Sequence, residues 1–314
     1  MATILTTTSS FDISGNPILV DLRERGFQLI ENPFGRRLSE DDAIKLFRKY
    51  QPVAIIAGVE PLSRSVLQAA SPNLKIVSRC GTGMDSVDLE AARELGITVL
   101  NTPDAPVLAV AELTLAMILD ILRGVTAADR SIRKGTWKAH MGNTLAGKTV
   151  GLIGGGRIGL KVAALLSAFD AQVIIHDPYL SKGSVGFEIV ELSALLSRSD
   201  IISLHLPLTA ETRNFVDDRM LAKMRAGSRL INAARGGLVD ETALIAALES
   251  GHLAGAALDV FEQEPYAGPL VDVDNVVLTT HMGSYAKETR TRMEFEAAQN
   301  LVDSLTMLDL KATT

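Results

Sequence analysis

Three polar residues in the C-terminal half of the chain each follow an apolar run: Arg235 after Leu230-Ile231-Asn232-Ala233-Ala234, Glu264 after Asp259-Val260-Phe261, and His281 after Leu278-Thr279-Thr280. An imidazole exchanges protons near neutral pH, and a carboxylate beside it holds the ring and favours the protonated form. A guanidinium grips a carboxylate in two places, which a lysine cannot do. Moving a hydride between a nicotinamide and a carbonyl calls for this set: a proton donor for the nascent alkoxide and a cation for the substrate's carboxylate. Singly, each residue has a plainer explanation. A lone histidine is usually an ordinary polar residue, and Arg235 before Gly236-Gly237 fits a turn.

A second constellation lies upstream. The apolar run Thr149 to Ile153 leads straight into Gly154-Gly155-Gly156-Arg157-Ile158-Gly159, a Gly-x-Gly-x-x-Gly pattern, and helical spacing follows from Leu160 to Ala168. Gly154 permits a tight turn, Gly156 lets backbone approach a pyrophosphate, and Gly159 allows close contact of helix and strand, with the phosphate held by amides at the helix N-terminus. A further apolar run ends in His176-Asp177, eighteen residues after Gly159. There a carboxylate accepts hydrogen bonds from a ribose diol and repels a 2′-phosphate, so NAD is expected rather than NADP.

For these residues to meet, strands and helices must alternate. Short β-branched runs at Thr3 to Thr6, Phe27 to Ile30, Val53 to Ala57, Lys75 to Arg79 and Thr98 to Leu100 predict strands separated by helices, one of them capped by Ser39 with Asp42 three residues on. A long helical pattern runs from Val107 to about Lys134. Further strands are predicted at Thr149 to Ile153, Gln172 to His176, Ile201 to His205, Arg229 to Ala233, Gly255 to Asp259 and Val276 to Leu278. The runs are nearly all apolar, as expected of parallel strands covered on both faces. The fold class is therefore α/β, with two units, and Arg235, Glu264 and His281 fall at strand carboxyl ends, where ligands collect in open sheets. A last helical stretch, from about Ser284 to Leu308, fits either unit.

Composition narrows the function. With 47% hydrophobic and 22% charged residues, the 314-residue chain is an ordinary folded protein. Thirty-one basic against 37 acidic residues give a net charge of −6, which disfavours nucleic acid as a partner. The single Cys80 forms no internal disulfide, and the five histidines show no metal-ligand spacing, so no metal is expected. No leader or membrane span is legible, and a cytoplasmic location is expected.

The order of motifs resembles the D-isomer-specific 2-hydroxyacid dehydrogenases, and most their 3-phosphoglycerate dehydrogenase-like branch. It is carried by Ser78-Arg79-Cys80-Gly81-Thr82-Gly83-Met84-Asp85, Asn101-Thr102-Pro103, Val110-Ala111-Glu112-Leu113, Gly147-Lys148-Thr149, Leu204-His205-Leu206-Pro207-Leu208, Asn232-Ala233-Ala234-Arg235-Gly236-Gly237, Ala257-Leu258-Asp259-Val260-Phe261 with Glu264-Pro265, and Thr280-His281-Met282-Gly283. The resemblance implies two Rossmann-like or flavodoxin-like domains with a cleft between them: a discontinuous substrate domain of residues 1–103 and 285–314, and a nucleotide domain of residues 104–284. It implies that Arg235, Glu264 and His281 form the catalytic set. NAD is expected at Gly154, Gly156, Arg157, Ile158, Gly159 and Asp177, bordered by His205, Pro207, Ala233 and Asp259, with Asp259 at the nicotinamide end. Arg79 and the backbone of Gly81, Thr82 and Gly83 are expected to hold substrate together with Arg235, in a homodimer assembled largely through the nucleotide domain.

The pattern also departs from that branch. Where its members end a strand in an arginine that helps bind substrate phosphate, this chain reads Ile55-Ile56-Ala57-Gly58-Val59-Glu60, and the segment Trp137 to Gly142 lacks a second arginine; Arg79 matches. The expected partner is a small 2-hydroxy or 2-oxo acid without firm preference for phosphate. The alternatives are 3-phosphoglycerate dehydrogenase proper, an NADH-sensing corepressor-like binding protein, and formate or phosphite oxidation on the same architecture. No regulatory extension is expected after the last helix.

Overall fold

Alternate residues of each strand enter separate cores, which is how a parallel sheet buries both faces. The computed structural model describes residues 2–8, 11 and 13–312, and the chain forms two units, Met1–Pro106 with Ala286–Thr314, and Val107–Tyr285.

The first unit contains β1 (Thr3–Thr6), β2 (Gln28–Ile30), β3 (Ala54–Ala57), β4 (Ile76–Arg79) and β5 (Thr98–Asn101). They pair in parallel in the order β2-β1-β3-β4-β5. Leu5, Ile55, Ala57 and Val77 pack on one face, and Ile4, Ala54, Ile56 and Ile76 on the other. The helix Glu40–Tyr50 begins in a capping box, with the Asp42 amide donating to Ser39 Oγ and the Ser39 amide to Asp42 Oδ2, both at 3.2 Å. The last helix, Lys287–Met307, belongs to this unit: Met293, Ala297, Ala298, Leu301 and Leu305 join the core that holds Ile4 and Ile56, and Ser78 Oγ donates to the Ala297 carbonyl at 2.7 Å.

The second unit contains β6 (Thr149–Ile153), β7 (Gln172–His176), β8 (Glu188–Ile189), β9 (Ile201–Leu204), β10 (Ser228–Asn232), β11 (Leu253–Leu258) and β12 (Val276–Leu278). Their order is β12-β11-β10-β9-β6-β7-β8, with every pairing parallel. Here Ile202, Leu204, Leu230 and Leu258 face one core while Val150, Leu152, Ile231 and Ala257 face the other. β8 has two residues, too few for a periodic signal, and sequence reading misses it.

The single helical pattern expected from Val107 to Lys134 is two helices, Val107–Arg123 and Val125–Arg133. They are divided by Gly124, whose φ of 66° is a left-handed conformation that glycine adopts without strain. The Asp120 carboxylate accepts the Thr126 amide at 2.8 Å across the break, as a helix cap does. Among the described residues, no helix is long and apolar enough to cross a membrane.

Candidate active site

The strand order makes β10, β11 and β12 successive neighbours, so the segments leaving their carboxyl ends emerge side by side. Arg235, Glu264 and His281 stand on those three segments.

β12 ends at Leu278, and the chain turns through His281, whose φ of 53° is left-handed and unusual for a residue with a side chain. Four hydrogen bonds hold this turn to Asp259, the residue after β11. The His281 amide donates to the Asp259 carbonyl at 2.8 Å, the Met282 amide and the Thr279 hydroxyl donate to Oδ1 at 2.8 and 2.6 Å, and the Gly283 amide donates to Oδ2 at 2.9 Å. Asp259 is buried, and this donor set satisfies its carboxylate.

Glu264 leaves the same strand end. Its Oε1 accepts the Phe261 amide at 3.2 Å and its Oε2 lies 2.8 Å from His281 Nδ1. An ionised carboxylate only accepts, so the ring hydrogen sits on Nδ1 and Nε2 is the nitrogen left available for another partner. The side chains are part-exposed, 38% for His281 and 23% for Glu264, as a pair that meets a ligand must be.

Arg235 follows β10 in extended conformation. Asn232 braces it by donating Nδ2 to the Arg235 carbonyl at 2.8 Å and accepting the Ala234 amide at 3.0 Å, while Arg235 Nη1 donates to the Ala234 carbonyl at 2.6 Å. A Cβ on Gly236 would collide with the backbone of Phe261 and stand 2.6 Å from the Glu262 amide nitrogen. That glycine lets the Arg235 segment lie against the one carrying Glu264. Asn232, Thr279 and Gly236 are the supports that sequence reasoning left without a role, although all three lie in or beside its motifs.

The dinucleotide candidates occupy the other half of the sheet's carboxyl edge. Gly154, with φ 103°, turns the chain out of β6, and Gly156 is the N-cap of the helix Arg157–Ser167, whose first turn receives no side-chain cap. A Cβ on Gly156 would meet nothing within 4 Å, whereas one on Gly159 would strike the Gly154 carbonyl. An open cradle of amides beside a tight helix-strand contact is what a pyrophosphate needs. After β7, Asp177 accepts the Gly155 amide on Oδ2 at 2.8 Å and the Tyr179 amide on Oδ1 at 2.9 Å, which ties the carboxylate to the glycine loop. His205 follows β9 with Nε2 3.0 Å from Ser203 Oγ, and burial pushes its pKa down to about 4, so the ring is neutral at pH 7. Pro207 and Ala233 follow β9 and β10. These residues fit NAD and would hold its pyrophosphate and adenosine ribose.

The remaining candidates lie in the first unit. Arg79 ends β4, and its guanidinium stands within 2.6 Å of where a Gly81 Cβ would be. The Gly81 amide donates to Thr102 Oγ1 at 2.8 Å and is therefore spent inside the unit. The Thr82 and Gly83 amides make no hydrogen bond among the described residues and are the ones left to meet a carboxylate. Cys80 is buried, which raises its thiol to about 11 and leaves it inert as a nucleophile.

A glycine cradle with an acidic residue after the next strand has the form of a dinucleotide site, and a hydrogen-bonded His-Glu pair stands at neighbouring strand ends of the same sheet. Residues 115–283 match the family described as D-isomer specific 2-hydroxyacid dehydrogenase, NAD binding domain, and the chain belongs to that family. It is 44% identical over 239 residues to D-3-phosphoglycerate dehydrogenase of Mycobacterium tuberculosis, an alignment covering 74% of this chain and 45% of the relative. The chain spans about half the length of the curated relatives it matches. Among solved structures it resembles the TT0316 protein of Thermus thermophilus, with TM-score 0.87, 38% identity and 97% of each chain covered. It also resembles a glyoxylate reductase of Paecilomyes thermophila, with TM-score 0.87, 31% identity and coverage of 97% and 95%.

Proposed function

We propose that this protein reduces a small 2-oxo acid to the D-2-hydroxy acid, and catalyses the reverse oxidation. The observation that carries the proposal is the 2.8 Å hydrogen bond between Glu264 and His281 at the strand ends of an NAD-binding sheet. NADH, held by the loop of residues 154–159 and Asp177, would supply the hydride for the substrate's carbonyl carbon. His281 gives the accompanying proton from Nε2 to the carbonyl oxygen, and Glu264 fixes the ring and balances its charge in the protonated form. Arg235 anchors the substrate carboxylate, and the Thr82 and Gly83 amides and Arg79 are the first unit's own candidates for holding substrate. Asp259 builds the turn that presents His281 and borders the nicotinamide. Asp177, tied to the glycine loop, favours NAD over NADP.

The working form on this reading is a cytoplasmic homodimer with no partner besides its substrate and cofactor. The exposed apolar side chains of Val125, Ile132, Trp137 and Met141 support assembly through the second unit. The test is a panel of 2-oxo acids, phosphorylated and not, each assayed with NADH and with NADPH by loss of nicotinamide absorbance. Turnover of several unphosphorylated acids with NADH is expected. Turnover of 3-phosphohydroxypyruvate alone would establish the alternative, a 3-phosphoglycerate dehydrogenase proper, and an NADPH preference would overturn the role given to Asp177.

A further inference from the structure

The first unit's sheet has a carboxyl edge of its own. In a parallel sheet of order 2-1-3-4-5, the crevice between β1 and β3, where the chain's connections diverge to opposite faces, is the place at which ligands bind. The residues leaving those two strands are Thr7-Thr8 and Gly58-Val59-Glu60. Glu60 is a buried carboxyl residue, 1% exposed, whose side chain turns back into the crevice. Its Oε1 accepts the Gly58 amide at 3.1 Å and the Thr7 hydroxyl. Its Oε2 stands 2.8 Å from where a Gly58 Cβ would begin, so no side chain fits at position 58 while Glu60 holds this place. Beside it, Thr8 is 7% exposed, and its Oγ1 has no hydrogen-bond partner among the described residues.

β3 and β4 pair Ala57 with Arg79, so Glu60 and Arg79 leave adjacent strand ends. Cys80, whose thiol is raised chiefly by burial, also lies in the field of Arg290, Glu294, Arg79 and Glu60, the two guanidinium groups lowering its pKa and the two carboxylates raising it. A carboxylate and a guanidinium leaving adjacent strand ends partly offset one another's field, which weakens the positive potential that would concentrate a dianion. Too deeply buried for direct contact with a ligand, Glu60 acts by its charge and by the space it fills.

We infer that Glu60 is a specificity-determining residue: held in the β1/β3 crevice by Thr7 and Gly58, it makes the first unit accept a 2-oxo acid with an uncharged far end and reject one ending in phosphate. This rests on the dehydrogenase reading and narrows its substrate class. Glu60 is a positioning residue, since it works on the ligand through Arg79 and the shape of the crevice.

The test compares hydroxypyruvate with 3-phosphohydroxypyruvate, which differ only in the phosphoryl group, using wild-type protein and Glu60→Gln with NADH. Wild type should favour hydroxypyruvate by at least about tenfold in kcat/KM, the difference lying in KM. Glu60→Gln should lower the KM for 3-phosphohydroxypyruvate about tenfold and leave kcat on hydroxypyruvate within about twofold. A merely structural role would instead depress both substrates together. If the variant does not fold, the wild-type ratio decides: preference for the phosphorylated acid overturns the inference, as does an unchanged KM in a folded variant. Absence of turnover on either acid by wild type would strike at the dehydrogenase reading. Thermal shifts with D-glycerate and D-3-phosphoglycerate would then judge Glu60, stronger stabilisation by the phosphorylated ligand counting against it and by the plain one for it.

Discussion

With a carboxylate oxygen on Nδ1, His281 keeps one tautomer and leaves Nε2 available, so a single hydrogen bond both holds the ring and decides which nitrogen can meet a ligand. His205 shows the opposite use of an imidazole. It has no carboxylate partner among the described residues, burial holds it neutral with a pKa of about 4, and its Nε2 meets only the Ser203 hydroxyl. The folded protein keeps this ring uncharged, whereas the unfolded chain protonates it below about pH 6.5. Stability is therefore whole above that pH and is lost as pH falls toward 4, by at most about 3 kcal/mol. Thermal melting of His205→Gln should accordingly lose less between pH 7 and pH 5 than that of wild type, and parallel losses would show that the ring is not the source. Both histidines follow strands, and in the sequence their motifs separate them, His281 in the catalytic set and His205 at the border of the dinucleotide. The motif around His281 resembles a catalytic one, but the partner on Nδ1 is a fact of three dimensions.

At the scale of the element, the site depends on strand ends being brought close, and Gly236 is where that closeness is most exposed to test. Any side chain there runs into the backbone of Phe261, which cannot yield as a flexible side chain could. Gly236→Ala should push the Arg235 segment off the one carrying Glu264 and lower kcat/KM by about a hundredfold, since misplacement by about 1 Å costs that much. NADH affinity should hold, because the glycine loop lies beyond β9 in the sheet. Steady-state kinetics beside NADH fluorescence titration would check both halves. Strand positions were legible because both-face burial writes continuous apolar runs: β1, β6, β7 and β12 fall where those runs predict, and most other boundaries shift by a residue or two. The helix break at Gly124 was not. Helical periodicity continues through it, and what ends the first helix is a backbone angle of 66°, which an isolated glycine permits without announcing.

Across the whole molecule, two units each own a sheet and paired cores, and the last helix returns to complete the first. Its pattern of buried residues reads as helix from sequence, but its destination does not, because an apolar stripe fits any sheet face of the right width. Leu301 is fully buried in that contact. Leu301→Ala should cost about 2–5 kcal/mol of stability, read by chemical denaturation. NADH affinity of the folded protein should be unchanged, because the lost methyl groups line only the first unit's core. Glu60 belongs to this scale too: the sequence showed an acidic residue near a strand end that lacks the expected arginine, while its burial and its occupation of the space beside Gly58 emerge only once β1 and β3 lie side by side.

The most direct measurement is a single-turnover reaction of preformed protein-NADH complex with glyoxylate or hydroxypyruvate, in wild type and His281→Ala, with NADH affinity titrated separately. Loss of at least about a hundredfold in the rate of NADH oxidation, with the dissociation constant for NADH within about twofold, is the expected result. A variant that oxidises NADH at near wild-type rate would contradict the account, because proton delivery would then belong to some other group.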